Sequence, residues 1–358
     1  MLFDLGPARR QRLLMVVHHL VVDGVSWRIL LEDFSAACEA LGSGRPVELP
    51  PKTSSFKSWA IRLEQYARSA ELRRELAFWS RAPPEAVRPL DVDIAGGENT
   101  EASERRIHVA LDAEETRRLL QVVPKAFHTQ IGEVLLAALS WSFATRALRP
   151  ALLVDLEGHG REPLFDDIDL SRTVGWFTTV FPVVLEVDPS ASPEESVAAV
   201  KEQLRRVPNR GIGYGVLRYL SGWGDSDAWK ALPQAQIAFN YLGQFDQTFS
   251  SSAPWTTAAE SAGPSRSLRQ TRPYLVDVNA IVINGRLQVT WAYSEAVHRR
   301  STIEAIADGF LDALRAIVAR AKSEPGGYAP SDFPLAGLDQ SQLDRLISKL
   351  SRKERPLP

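Results

Sequence analysis

Cysteine occurs once, at Cys38, so the chain can build neither a disulfide framework nor a thiolate metal cluster. That scarcity suits a reducing compartment, and the sequence predicts a cytoplasmic protein. Cys38 stands in a helical pattern and reads as a buried, inert thiol. No apolar run approaches the ~20 residues that a membrane-spanning helix needs. The N-terminus, MLFDLGPARRQ, lacks the apolar core of a signal peptide. An excess of charge of one sign is also missing: the net charge is -2, so neither nucleic acid nor an anionic membrane is predicted as a partner. What is present is 44% hydrophobic and 24% charged residues over 358 positions, the composition of a globular chain. That length suffices for about two domains.

Periodicity predicts interleaved strands and helices. Leu13 to Val17 is continuously apolar and reads as a buried strand running into His18 and His19. Apolar residues at Trp27, Leu30, Leu31, Phe34, Cys38 and Leu41 then fall at helical spacing, with Ser26 as the predicted N-cap. A second helical pattern runs from about Phe56 to Trp79. Strands are predicted at Ile107–Leu111, Leu152–Leu156, Val180–Val187 and Gln236–Tyr241. Asp112 with Glu115, and Ser192 with Pro193 and Glu195, are capping signatures for two helices. Thr129 is predicted to open another helix, and Ser301 with Glu304 the last long one. Val276–Ile283 and Leu287–Tyr293 flank Asn284-Gly285, a strong hairpin signal. The Ser-, Ala- and Thr-rich stretch 250–270 reads as a flexible loop.

Five segments have the residue types of a chemical site. In His18-His19-Leu20-Val21-Val22-Asp23-Gly24, strand alternation would turn one histidine to the core and the other to a cleft. An imidazole there could exchange protons near neutral pH; the bland alternative is a histidine pair satisfied by backbone. In Glu157-Gly158-His159-Gly160-Arg161-Glu162, a carboxylate closes a buried strand and the glycines permit a sharp turn. A charged turn with internal salt bridges is its alternative. His159 has no recognisable metal-ligand spacing with His18 and His19. Arg172 to Thr178 (RTVGWFT) precedes a strand, and Phe239 to Asp246 (FNYLGQFD) places Asn240 and Tyr241 on opposite faces of one. Pro208 to Gly215 (PNRGIGYG) is glycine-rich, but it follows a helix and has no lysine placed for phosphate, so a nucleotide site is not predicted. Taken singly, packing or turn chemistry accounts for each of these last three.

Taken together and in this order, the segments resemble the epimerization domains of nonribosomal peptide synthetases, a branch of the condensation-domain superfamily. HHLVVDGVSW is shared across that superfamily, whereas EGHGRE, RTVGWFT, PNRGIGYG and FNYLGQFD match the epimerization branch. TQIGEVLLAAL is similar to a further helix motif, with Gly132-Glu133 in place of a more usual Asn-Asp. Tyr328 to Ala336 resembles the segment that leaves such domains toward a following module. The family has a long stretch and an early PIQ-type motif before the double histidine, while only seventeen residues precede His18 here. The first lobe is therefore expected to be incomplete.

The resemblance implies an α/β, two-lobed chloramphenicol acetyltransferase-like sandwich with a central channel. A partial first lobe is expected at 1–120, a second lobe at 121–325 and a linker at 326–358. It implies epimerization of the Cα of an L-aminoacyl or peptidyl thioester held on the 4′-phosphopantetheine of a carrier protein, with neighbouring synthetase modules as further partners. His19 and Glu157 would be the acid/base pair, in an order left open. His18, Asn240 and Tyr241 would support the site, and Asp23 would fix the turn through a salt bridge to an arginine. No metal or bound cofactor is implied. The rival readings are an amide-forming condensation domain and an inactive fragment of an epimerization domain.

Overall fold

The Asn284-Gly285 turn joins two strands as its chemistry dictates, with Ile283 paired to Arg286 and the ladder running back to Val276 opposite Tyr293. The architecture is that of a computed structural model, which describes residues 1–244, 255–256, 258, 260–263, 266–321 and 342–343. Phe245, Asp246, parts of the 250–270 stretch and Tyr328 to Ala336 lie outside the described residues. In chain order the strands are β1 (Leu2–Phe3), β2 (Arg12–Leu13), β3 (Glu104–Ala110), β4 (Ala151–Gly158), β5 (Thr179–Glu186), β6 (Ile237–Gln244), β7 (Val276–Ile283) and β8 (Arg286–Ser294). The first helices are α1 (Gly24–Gly42), α2 (Phe56–Tyr66), α3 (Ala70–Arg74) and α4 (Leu76–Trp79). They are followed by α5 (Ala113–Gln121), α6 (Val123–Phe127), α7 (Ile131–Arg146), α8 (Pro193–Arg205), α9 (Ile212–Tyr219), α10 (Asp227–Lys230) and α11 (Arg300–Arg320).

Strands β3 to β8 form a six-stranded mixed sheet in the order β3-β8-β7-β6-β4-β5. The β4–β6 and β6–β7 pairs are parallel, and the others are antiparallel. Alternation along each strand divides the sheet into two faces. Val154, Leu156, Ile237, Phe239, Val278, Ala280, Val289 and Trp291 are buried on one face, in a core shared with α7, α8 and α11. Helix α7 is apolar nearly all round and buried on almost every side, as a central helix must be. The opposite face carries Asp155 and Glu157 from β4, Asn240 from β6, and Asp277 and Asn279 from β7. Polar side chains at every second position of otherwise apolar strands thus mark a cleft floor.

Several local expectations change. Residues 13–17 are not a buried strand: Leu13, Met15, Val16 and Val17 are all exposed. Among the described residues, their segment finds ladder partners only at residues 1–3 and does not join the large sheet. His18 and His19 do not alternate across a strand either. His19–Val21 is a 3₁₀ turn in which His18 Nδ1 accepts the Leu20 N–H at 3.1 Å, and both histidines are exposed. Asp23, rather than Ser26, caps α1, because its carboxylate accepts the Ser26 N–H at 2.7 Å. Cys38 is only half-buried. The long pattern from Phe56 to Trp79 breaks into α2, α3 and α4, since Ser69 accepts the Leu72 N–H and starts a new helix. Gln130, not Thr129, caps α7. Helix α11 starts at Arg300, its first turn held by Asp93, which accepts the Arg299 N–H and the Thr302 hydroxyl. Leu120, where the lobe boundary is expected, lies inside α5, and β3 before it pairs with β8 after it.

Candidate active site

Glu157 is the next-to-last residue of β4, on the cleft face, and Asn240 stands beside it on β6. Asn240 Nδ2 donates to Glu157 Oε2 at 2.6 Å. The carboxyl opens to the cleft on one side and is hemmed in by protein on the other. Loss of water around it raises its pKa above the usual glutamate value, and the negative charge of Asp277 adds to that. The charges of His19 and Arg266 and the Asn240 hydrogen bond pull the other way without cancelling the rise. His19 therefore acts on Glu157 from a separate chain segment. Its ring also rests edge-on against Trp176, with centroids 5.2 Å apart.

A buried knot fastens the histidine segment to the carboxylate segment. Arg161, four residues beyond Glu157, donates through Nη2 to both Asp23 oxygens, at 3.0 and 3.2 Å, and to Ser26 Oγ at 3.0 Å. Asp23 also accepts the Phe177 N–H at 3.1 Å. Ser26 Oγ exchanges hydrogen bonds with the Gly175 backbone, donating to its carbonyl and accepting from its N–H. The Arg161 guanidinium lies over the Phe177 ring, 4.0 Å from its centre. HHLVVDGVS, EGHGRE and RTVGWFT are thus three parts of one fastening, and Arg161 is the arginine partner anticipated for Asp23. Gly160 makes the approach possible. Its φ is +67°, and a Cβ there would lie 1.6 Å from the Phe177 carbonyl oxygen. Gly160→Ala is expected to lower stability by more than about 2 kcal/mol, read by urea denaturation.

Not every anticipated residue joins the site. Tyr241 occupies the opposite face of β6 and packs against the hydrophobic core, which raises its pKa. His18 holds the 3₁₀ turn. His159 accepts the Arg161 N–H and faces Glu162, and no group of three or more metal-ligating side chains occurs among the described residues. PNRGIGYG is largely packing: Asn209 donates to Glu75 Oε1 at 2.8 Å, and a Cβ at Gly213 would lie 2.0 Å from Glu75 Oε2. Glu75 in turn receives the Trp79 indole N–H at 2.8 Å. Sequence reasoning missed Asp155, Asp277, Asn279 and Tyr274, and it singled out Trp176 only as part of RTVGWFT. Tyr274 donates to Asp155 Oδ2 at 2.9 Å, and Asn279 to Asp277 Oδ1 at 2.6 Å. A signal for the strand residues exists in LLVDLE and VDVNAIV, where acidic and amide residues interrupt buried strands at every second position.

The condensation domain family model matches residues 2–326, and the chain belongs to that family. A linear gramicidin synthase polypeptide of Brevibacillus parabrevis is 48% identical over 353 residues, covering 97% of this chain and 4% of that protein. The chain thus spans a small fraction of the length of the peptide synthase it matches. The crystal structure of the epimerization domain from the third module of tyrocidine synthetase B superposes with a TM-score of 0.79 and 35% identity, over 85% of this chain and 68% of that one. The first condensation domain of the CDA synthetase shares the fold, with a TM-score of 0.60 and 18% identity over 86% and 64%. No helix among the described residues is long and apolar enough to cross a membrane.

Proposed function

We propose that this chain epimerizes the Cα of an aminoacyl or peptidyl thioester presented on the phosphopantetheine arm of a carrier protein. The observation that carries the reading is Glu157, a carboxyl with raised proton affinity, set on the cleft floor and acted on by the charge of His19 from another segment. Inverting a carbon beside a thioester carbonyl requires loss of its proton and return of a proton to the opposite face. A carboxylate removes the Cα proton and becomes neutral, and the electron pair moves into the carbonyl to give an enolate. An imidazolium then returns a proton from the far side and becomes neutral. The reverse direction exchanges the two roles. A glutamate that binds its proton more tightly than usual is suited to both halves of that cycle. Protonated His19 also supplies positive charge near the developing enolate.

The test is an L-aminoacyl carrier protein incubated with the chain in deuterated water. Cα deuterium uptake and a mixture of L and D products are expected. A new peptide bond in the presence of a second loaded carrier, with no Cα exchange, would instead identify an amide-forming domain. Asn240 supports the charged form of Glu157, so Asn240→Ala is expected to raise the Glu157 pKa further. In the direction that uses the carboxylate as base, the acidic limb of the rate profile then moves to higher pH. An unmoved limb would remove Asn240 from that role.

A further inference from the structure

A cavity of about 630 Å³ adjoins the Glu157–His19 site. Trp176, which touches His19, belongs to its wall, and so does Asp155, which shares the cleft face of β4 with Glu157 two residues away, roughly 7 Å along the strand. Tyr274 bonds Asp155 and lies within the electrostatic reach of Glu157. The rest of the wall is largely apolar and aromatic, including Trp59, Phe177 and Tyr214; Gln234 and Arg218, which donates to the Tyr214 hydroxyl at 2.6 Å, are polar members of it.

The roof is α9, and one of its residues has no structural reason to be what it is. The three glycines of PNRGIGYG differ sharply. Gly211 has φ +85° and no room for a Cβ, which would lie 2.2 Å from the Phe181 ring, and Gly213 is pressed on Glu75. Gly215 sits in the body of the helix without positive φ, and a Cβ there would meet no atom within 4 Å. Glycine inside a helix destabilises it relative to alanine, so folding alone favours a larger residue here. Gly215 faces the cavity, and glycine at this place keeps the cavity clear.

Resting on the epimerization reading, we propose that the cavity beneath Gly215 receives the side chain of the residue being epimerized, and that Gly215 admits large apolar side chains. Size and lining fit such a group, and the shared wall of Asp155, Tyr274 and Trp176 brings its Cα toward Glu157 and His19. The substrate class is thus a carrier-bound amino acid with a bulky hydrophobic side chain.

The experiment compares the intact chain with Gly215→Leu and Gly215→Ala. Binding of L-phenylalanyl and L-alanyl pantetheine amides is followed by tryptophan fluorescence, and Cα deuterium exchange is measured with the matching aminoacyl carrier proteins. The unaltered chain is expected to prefer phenylalanyl over alanyl. Gly215→Leu is expected to reduce that preference by about tenfold or more, the scale on which apolar pockets discriminate by size. Gly215→Ala is expected to raise the melting midpoint. Equal weakening of both ligands by Gly215→Leu would place the common pantetheine arm in the cavity and overturn the proposal, as would an unchanged preference. A lowered melting midpoint in Gly215→Ala would make the glycine structural and overturn it equally. If no carrier substrate exchanges with the unaltered chain, the epimerization reading fails, while the amide-binding preference still decides what the cavity holds.

Discussion

Glu157→Gln is expected to lower Cα exchange by about 10²- to 10⁴-fold, the usual contribution of one positioned acid/base group, while leaving the chain as stable as before or more so at pH 8. The two halves of that result have one cause. The folded protein holds the Glu157 pKa above its ordinary value, through lost hydration and the charge of Asp277. A carboxyl whose folded pKa exceeds its unfolded value favours folding most at low pH, below the unfolded value near 4.3. That advantage disappears as pH rises through the folded value, and above it the ionised group is a net cost. Glutamine carries no charge, so it escapes the cost, and its amide oxygen can still accept the Asn240 hydrogen bond. The stability difference between variant and parent should therefore be largest above the folded pKa and shrink as pH falls toward 4. His19→Ala should produce a comparable loss of exchange. Full exchange by both variants in deuterated water would show that the reacting groups lie elsewhere. A Glu157→Gln variant less stable than the parent at pH 8 would contradict the electrostatic account of the site.

Elements are far more legible in the sequence than the assembly of the site is. Capping signatures at Asp112 and Ser192 and the Asn284-Gly285 turn can be read directly, because each depends on residues within three positions of one another. The strands of the large sheet show in their apolar alternation. The failure at Leu13 to Val17 has a physical reason: apolar content predicts burial only where a partner surface exists, and among the described residues this segment pairs only with residues 1–3. The wrong geometry for His18 and His19 follows from it, since residues in a 3₁₀ turn do not alternate faces. Pairings across more than a hundred residues, such as Arg161 with Asp23, have no local signature beyond the presence of one arginine and one aspartate. Asn240 and Tyr241 show the reverse. Their opposite faces are predictable from the strand period, but only the sheet order shows that Glu157 lies beside the former and the core beside the latter.

Asp23→Ala is expected to be more destabilising than any other loss of a polar side chain at the site, by about 3–5 kcal/mol in urea denaturation. The side chains of Asp23 and Arg161 retain only 3% and 8% of their exposure, so removing one leaves the other as an unpaired charge inside the protein. Burial already pulls the Arg161 pKa down, and the charge of Asp23 is what opposes that pull. The carboxylate further accepts the Ser26 and Phe177 N–H groups, which would lose their partner at the same time. The exposed Arg68–Glu64 pair supplies the contrast, with 77% and 62% of its side-chain surfaces in solvent. Glu64→Ala should cost about 1 kcal/mol or less, as exposed and screened pairs do. Replacing the buried pair together, as Asp23→Leu with Arg161→Met, should be less damaging than Asp23→Ala, because no orphaned charge remains. It should not restore exchange, since the tie between the His19 turn and the Glu157 strand is gone. If Asp23→Ala and Glu64→Ala cost the same, the buried knot is not what holds the two halves of the site together.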